Sequence, residues 1–253
     1  MSKDGPKTAK DRMGEGMSMR WSIAALVLAI VVAGTLIFVS RRGADESAAT
    51  STAPSGGTLP SAGAVQQAFR HLPQDGLALG RAAAPVTLVE YGDVQCPFCA
   101  QWAVDTLPGL IEEYVRPGKL RIEMRPLVFI GPNSEQGARA VIAAGQQNKA
   151  WNAAELFYTN QGTENSGWIT DDFIAAVARS IPGVNTEKML ADVDSKAVSD
   201  ELAATAKQGA NVTATPTFLI GKTGGKLTGL GNQTLEVGPF RAAIDKLLAS
   251  GNR

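Results

Sequence analysis

The chain has 253 residues, with 24 lysines and arginines against 24 aspartates and glutamates, so its formal net charge is zero. The two signs are mixed along the chain, which excludes the basic surface expected of a nucleic-acid-binding protein. Two cysteines and one histidine, His71, fall short of the four nitrogen or sulfur ligands of a structural zinc site, so no metal is expected.

The first element in chain order is Trp21–Val39, reading WSIAALVLAIVVAGTLIFV, 19 positions without a charge. At about 1.5 Å per helical residue this run approaches the roughly 30 Å hydrocarbon thickness of a bilayer. It predicts a transmembrane helix over 21–39. Lys3, Lys7, Lys10, Arg12 and Arg20 precede it and only Arg41 and Arg42 follow closely, so the positive-inside rule makes residues 1–20 a cytoplasmic tail and places the remainder outside. A cleaved signal peptide fits less well, because Arg41 and Arg42 stand where a small-residue cleavage site would begin; Ala48-Ala49 is a late alternative. Residues 43–63 are dominated by Ala, Ser, Thr, Gly and Pro, a composition of flexible tethers, and 40–74 is assigned as a linker. Residues 75–253 then suffice for one folded domain.

Within that domain Gly76–Gly80 is a candidate short strand and Pro85–Tyr91 a clear one. The sequence Cys96-Pro97-Phe98-Cys99 follows directly. Cys96 is expected at a helix N-terminus with Pro97 at an early helical position, where a missing N–H costs little, and the helix runs on through Val104. Lys119–Leu127 (KLRIEMRPL) alternates apolar and charged residues and reads as a strand. From 133 to 209 the pattern is helical throughout. Strand character returns at Thr217–Ile220 and, after a Gly-rich turn, at Lys226–Thr228, and Pro239–Leu248 is an amphipathic helix. Gly221-Lys222-Thr223 is not a phosphate loop, because Pro216 stands where that motif needs glycine. The expected class is α/β.

The Cys-x-x-Cys spacing carries the chemistry. Bridging such close neighbours removes little unfolded-state entropy, which argues against a purely structural disulfide. A pair cycling between dithiol and disulfide remains.

The chain resembles the DsbA-like branch of the thioredoxin superfamily. The stretch APVTLVEYGDVQCPFC (84–99) looks like that family's strand and active-site segment, and VTATPTF (212–218) looks like its cis-proline loop. The helical block at about 133–209 has the size of its insertion. The resemblance implies a thioredoxin fold with an inserted all-helical domain, preceded here by the transmembrane helix. It further implies Cys96 as the exposed attacking cysteine at a helix N-terminus, with Cys99 as the shielded resolving thiol. Thr215-Pro216 would be a cis peptide presenting backbone to an extended substrate, an ordinary strand-starting proline being the alternative. Glu90 stands where the family carries a buried acid that exchanges a proton with Cys99; the alternative is an exposed edge carboxylate. Asp93 reads as a turn or capping residue, with a catalytic role as the alternative. Phe98 replaces the histidine of strongly oxidising members, which implies a less acidic Cys96. Pro97, Phe98 and Trp102 are candidates for an apolar client surface, although Phe98 and Trp102 are equally suited to packing.

The function so implied is a membrane-anchored, extracytoplasmic thiol-disulfide oxidoreductase that donates the Cys96–Cys99 disulfide to exported proteins with cysteine thiols. A membrane quinone-linked protein would restore the disulfide, and no cofactor beyond it is expected. A reductase or isomerase kept reduced by a membrane electron donor, and a non-catalytic membrane-tethered peptide-binding module, are the alternatives.

Overall fold

The computed structural model describes residues 57–230 and 235–250. The tail 1–20 and the helix expected over 21–39 lie outside these residues; among those described, no helix is long and apolar enough to cross a membrane. The chain runs through helix α1 (Ala62–Phe69), strands β1 (Gln74–Asp75), β2 (Ala78–Leu79) and β3 (Val86–Gly92), and helix α2 (Pro97–Asp105). A short helix α3 (Leu107–Leu110) passes into a π-helical turn, Ile111–Val115, and then strand β4 (Leu120–Pro126). Five helices follow: α4 (Asn133–Gly145), α5 (Ala150–Thr159), α6 (Asp171–Arg179), α7 (Thr186–Asp192) and α8 (Lys196–Gln208). Strands β5 (Thr217–Lys222) and β6 (Thr228–Gly229) and helix α9 (Val237–Ala249) complete it.

The strands form one sheet in the order β1-β2-β4-β3-β5-β6. β3 is internal, parallel to β4 and antiparallel to β5, and all seven of its residues are buried. A strand covered on both faces reads as a nearly continuous apolar run, which VTLVEYG is apart from Thr87 and Glu90. β4 alternates buried and partly exposed residues, the two-residue period of its sequence. Its parallel pairing with β3 requires a crossover connection, and α2 supplies it. The active-site segment therefore leaves the C-terminal end of the central strand.

Two aromatic clusters hold the layers. Trp102 of α2 packs on Phe218 of β5 with ring centroids 4.9 Å apart, and Phe218 stands 4.9 Å from Phe240 of α9. Phe157, Trp168 and Phe173 form the corresponding edge-to-face group in the helical insertion. Side-chain caps start three of the inserted helices: Thr170 accepts from Phe173 N–H, Asn185 from Lys188 N–H and Ser195 from Val198 N–H, each satisfying a donor the helix itself leaves unpaired.

Several expectations are corrected. The linker assigned to 40–74 is folded over its described part. Val65 and Phe69, one turn apart on α1, are buried with Leu59, the Leu59 N–H donates to Ser180 Oγ at 2.7 Å, and Arg116 donates to the carbonyls of Ala68 and Arg70. The small residues of this segment masked a narrow apolar stripe that is enough to dock a helix whose partners already exist. His71 consequently lies within the fold, exposed in the turn after α1. The strand expected over Gly76–Gly80 shrinks to Ala78–Leu79, because Gly76 has φ +58° in the turn that pairs β1 with β2. The strand expected at Lys226–Thr228 is reduced to Thr228–Gly229. No element was expected at 107–115, where α3 and the π-helical turn form.

Candidate active site

Cys96 is the N-cap of α2, with φ −73° and ψ 120°, and Pro97 takes an early helical position. The cap conformation places the Cys96 sulfur at the helix end whose unpaired N–H donors favour an anion, with no full hydrogen bond from those amides to it. Both cysteines are free thiols here. Hydrogen bonding from the Cys99 thiol, aided by the nearby amides of Cys99 and Phe98, outweighs burial and lowers the Cys96 pKa from 9.0 to about 6. Cys99, one turn deeper and fully buried, is driven well above 9.0, first by burial and then by the Cys96 hydrogen bond and the Glu90 charge. The two sulfurs are thus strongly differentiated, one as a stable thiolate and the other as a stable thiol.

The exposed attacking cysteine implied by the resemblance is corrected in one respect: Cys96 is only 2 % exposed. The Thr215 carbonyl covers it, accepting from Cys96 Sγ at 3.3 Å. The Thr215-Pro216 peptide is cis, as expected, and the loop that carries it brings residue 215 to the active site from 119 positions away. Thr215 Oγ1 is buried with no partner. Pro97 and Phe98 are exposed, Phe98 at 58 %, whereas Trp102 is completely buried and belongs to the core and not to a client surface.

Glu90 is not an edge carboxylate. It lies on β3 between Met124 of β4 and Phe218 of β5, is completely buried, and neither carboxyl oxygen has a hydrogen-bond partner. Burial, reinforced by Glu155 and Cys96, raises its pKa from 4.5 to about 8. An unpaired charge there would be costly, so the carboxyl holds its proton near neutrality. Its neighbourhood holds two residues that local sequence did not flag. A Cβ at Gly92 would stand 2.8 Å from Glu90 Oε1 and 3.2 Å from Tyr158 Oη, so the glycine leaves the space in which acid and phenol approach. Glu155, three residues before Tyr158 on α5, is partly buried and raised to about 7 by that burial. Their spacing marks one face of a helix, but only the packing of the insertion over α2 brings that face to Glu90.

Asp93 is a turn organiser, as expected. Its Oδ1 accepts from Gln95 N–H at 2.8 Å, and its Oδ2 accepts from the N–H groups of Phe129 and Ile130, each at 2.8 Å. It ties the active-site loop to the segment after β4.

A redox-differentiated Cys-x-x-Cys at a helix N-terminus, a facing cis-proline loop and a buried acid on the central strand define a thioredoxin-fold dithiol domain. A family model described as thioredoxin matches residues 73–237, and the chain belongs to that family. Among known proteins, the chain is 36% identical over 128 residues to the probable disulfide bond formation protein D of Bacillus cereus, covering 49% of this chain and 59% of that protein. It therefore spans less than two thirds of that relative's length. In architecture it is similar to the crystal structure of oxidised BdbD from Bacillus subtilis, with a TM-score of 0.61 and 22% identity over 70% of this chain and 97% of that one. It is also similar to Wolbachia pipientis alpha-DsbA1, with a TM-score of 0.54 and 19% identity over 69% and 91% of the two chains. The fold is thus the expected thioredoxin fold with a helical insertion.

Proposed function

We propose that this chain is a thiol-disulfide oxidoreductase that donates the Cys96–Cys99 disulfide to exported proteins. The observation that carries the reading is the placement of the two sulfurs, Cys96 at the N-terminus of α2 against the cis-proline loop and Cys99 fully buried one turn deeper, which favours thiolate at the first and thiol at the second. A client thiolate attacks Cys96 Sγ of the disulfide, forming a mixed disulfide and expelling Cys99 as thiolate. Glu90, protonated near neutrality, supplies the proton that Cys99 requires. A second client thiolate attacks the client sulfur of the mixed disulfide and releases Cys96, which leaves readily because its thiolate is stable. Two client thiolates, whose protons have passed to solvent, become one disulfide; the enzyme holds their two electrons as a Cys96 thiolate and a Cys99 thiol, and Glu90, left as a carboxylate, recovers its proton from solvent. The Thr215 backbone and the exposed rings of Pro97 and Phe98 border the approach, so an extended client pairs beside Thr215.

The charge-free run at 21–39 supports a membrane anchor with the catalytic domain outside the cytoplasm, where disulfides persist. Reoxidation is assigned to a membrane quinone-linked protein, by resemblance to the DsbA-like branch. The direction of transfer rests on a reduction potential. Equilibration of residues 57–253 with glutathione is expected to give about −120 to −180 mV, the range of disulfide donors and isomerases. A value near about −270 mV, that of thioredoxin, would replace the donor reading with a reductase.

A further inference from the structure

The inserted helical unit grips the active-site segment directly. Gln161, in the turn after α5, donates from Nε2 to the carbonyl oxygen of Val94 at 2.8 Å and to that of Cys96 at 3.2 Å. Between those two carbonyls the side chain of Gln95 is fully buried. Gln95 Oε1 accepts from Asn165 N–H at 2.9 Å, and its Nε2 donates to Ser134 Oγ at 2.9 Å and to Asn165 Oδ1 at 3.4 Å. Asn165 has φ +54°, a conformation asparagine tolerates better than most residues. From there it donates to the Ile130 carbonyl at 3.3 Å. Gly131 lies so close that a Cβ would collide with the Asn165 side chain. Val94, Gln95 and Cys96 are therefore fastened from residues 134, 161 and 165 of the insertion.

The Gln161 bond falls at a sensitive atom. The Cys96 carbonyl belongs to the peptide plane that joins Cys96 to Pro97, so its direction sets ψ of the cap residue. That angle decides how the first turn of α2 is presented to the Cys96 sulfur. We infer that Gln161 is a positioning residue for the redox chemistry: by holding the Cys96 carbonyl, the insertion orients the amides of α2 at the Cys96 sulfur and so tunes its reactivity. The inference rests on the oxidoreductase reading and deepens it by giving the helical insertion a part in the redox poise. The titratable groups around Cys96 are Cys99 on α2, Glu90 on β3, Asp93 in the loop between them and Tyr158 on α5. Gln161 is uncharged and acts through geometry.

The test is a set of single substitutions in the otherwise complete chain, with the Cys96 thiolate titrated by its ultraviolet absorbance and the disulfide equilibrated with glutathione. Gln161→Met keeps the length of the side chain and removes the donor. It is expected to lower the acid dissociation constant of Cys96 about three- to tenfold and the exchange equilibrium constant by a similar factor, about 15–30 mV toward the reducing side. Gln161→Asn, one methylene short of both carbonyls, is expected to shift in the same direction. It is read in the same way if the methionine variant does not fold, and Gln161 is half-buried, so the shorter amide fits. Asn160→Ala serves as the structural control. It removes bonds to Ser61 Oγ and the Leu156 carbonyl in the same turn and is expected to change the thermal midpoint without moving either redox quantity. The inference is overturned if the Gln161 variants titrate with the wild type, or if Asn160→Ala shifts the titration equally. A wild-type Cys96 that titrates near 9 is a separate result, overturning the oxidoreductase reading and the inference together.

Discussion

Replacing Glu90 with glutamine probes the buried acid through the stability of the fold, independently of turnover. Glu90 has a folded-state pKa of about 8 against 4.5 in the unfolded chain, so over that window the folded state binds the extra proton. Its contribution to stability is fully present below pH 4.5 and is lost as pH rises through 8. At about 1.36 kcal/mol for each tenfold difference, the loss is about 2 kcal/mol between pH 4.5 and 6 and about 4 kcal/mol by pH 8. Glutamine keeps the shape and does not ionise, so Glu90→Gln removes this dependence. Any cost of burying its amide beside the same unpartnered surroundings is constant with pH. The reduced wild type carries an opposite trend, since the Cys96 pKa is depressed from 9.0 to about 6 and its stabilisation is lost as pH falls through 6. The oxidised protein, in which neither cysteine titrates, removes that trend, and the difference between wild type and variant cancels the titration of Glu155, which is itself raised to about 7. Urea denaturation of oxidised wild type and Glu90→Gln at pH 4.5, 6 and 8 is expected to show the variant gaining about 2 and then about 4 kcal/mol relative to the wild type. Parallel stability curves across these three pH values would refute both the raised pKa and the proton-donor role built on it.

Absorbance at the thiolate band of the reduced protein is expected to titrate with a midpoint near 6 and to lose that step in Cys96→Ser, which also abolishes disulfide transfer; a midpoint near 9 would remove the basis for assigning attack to Cys96. Phe98→His places an ionisable ring beside the thiolate and is expected to lower the Cys96 midpoint further while leaving stability nearly unchanged, because Phe98 is 58 % exposed; a loss of stability above about 1 kcal/mol would mean that Phe98 packs. Gly92→Ala introduces a methyl group 2.8 Å from Glu90 Oε1 and 3.2 Å from Tyr158 Oη and is expected to cost about 1–3 kcal/mol in denaturant midpoints through overpacking; a neutral result would show that acid and phenol have room to separate.

Much of the frame was legible along the chain because its determinants are local. The nearly continuous apolar run VTLVEYG marks a strand, the alternation in LRIEMRP marks its neighbour, and the helical period over 133–209 marks the insertion. Helix α1 escaped because only two of its eight residues carry the apolar stripe, and its stability comes from docking against Ser180 and Arg116, which lie 46 or more positions away. The short strand β1 escaped for the same reason, since two paired residues leave no period to read, and β6 was found but misplaced by two residues.

At the active site the division is sharper. The sequence alone determined the two sulfurs, their separation by one helical turn, the proline that opens the helix and the acid six residues upstream, because neighbours along a strand and a helix keep their spacing in any fold that contains those elements. Only the tertiary structure decided what each group experiences. It buried Glu90 between two strands without a partner and covered Cys96 with the Thr215 carbonyl. It also brought Tyr158, Gln161 and Asn165 from the insertion onto the active-site segment. Desolvation and hydrogen-bond geometry depend on atoms that are distant in the chain and adjacent in space, so acidity and positioning arise only once the layers have packed.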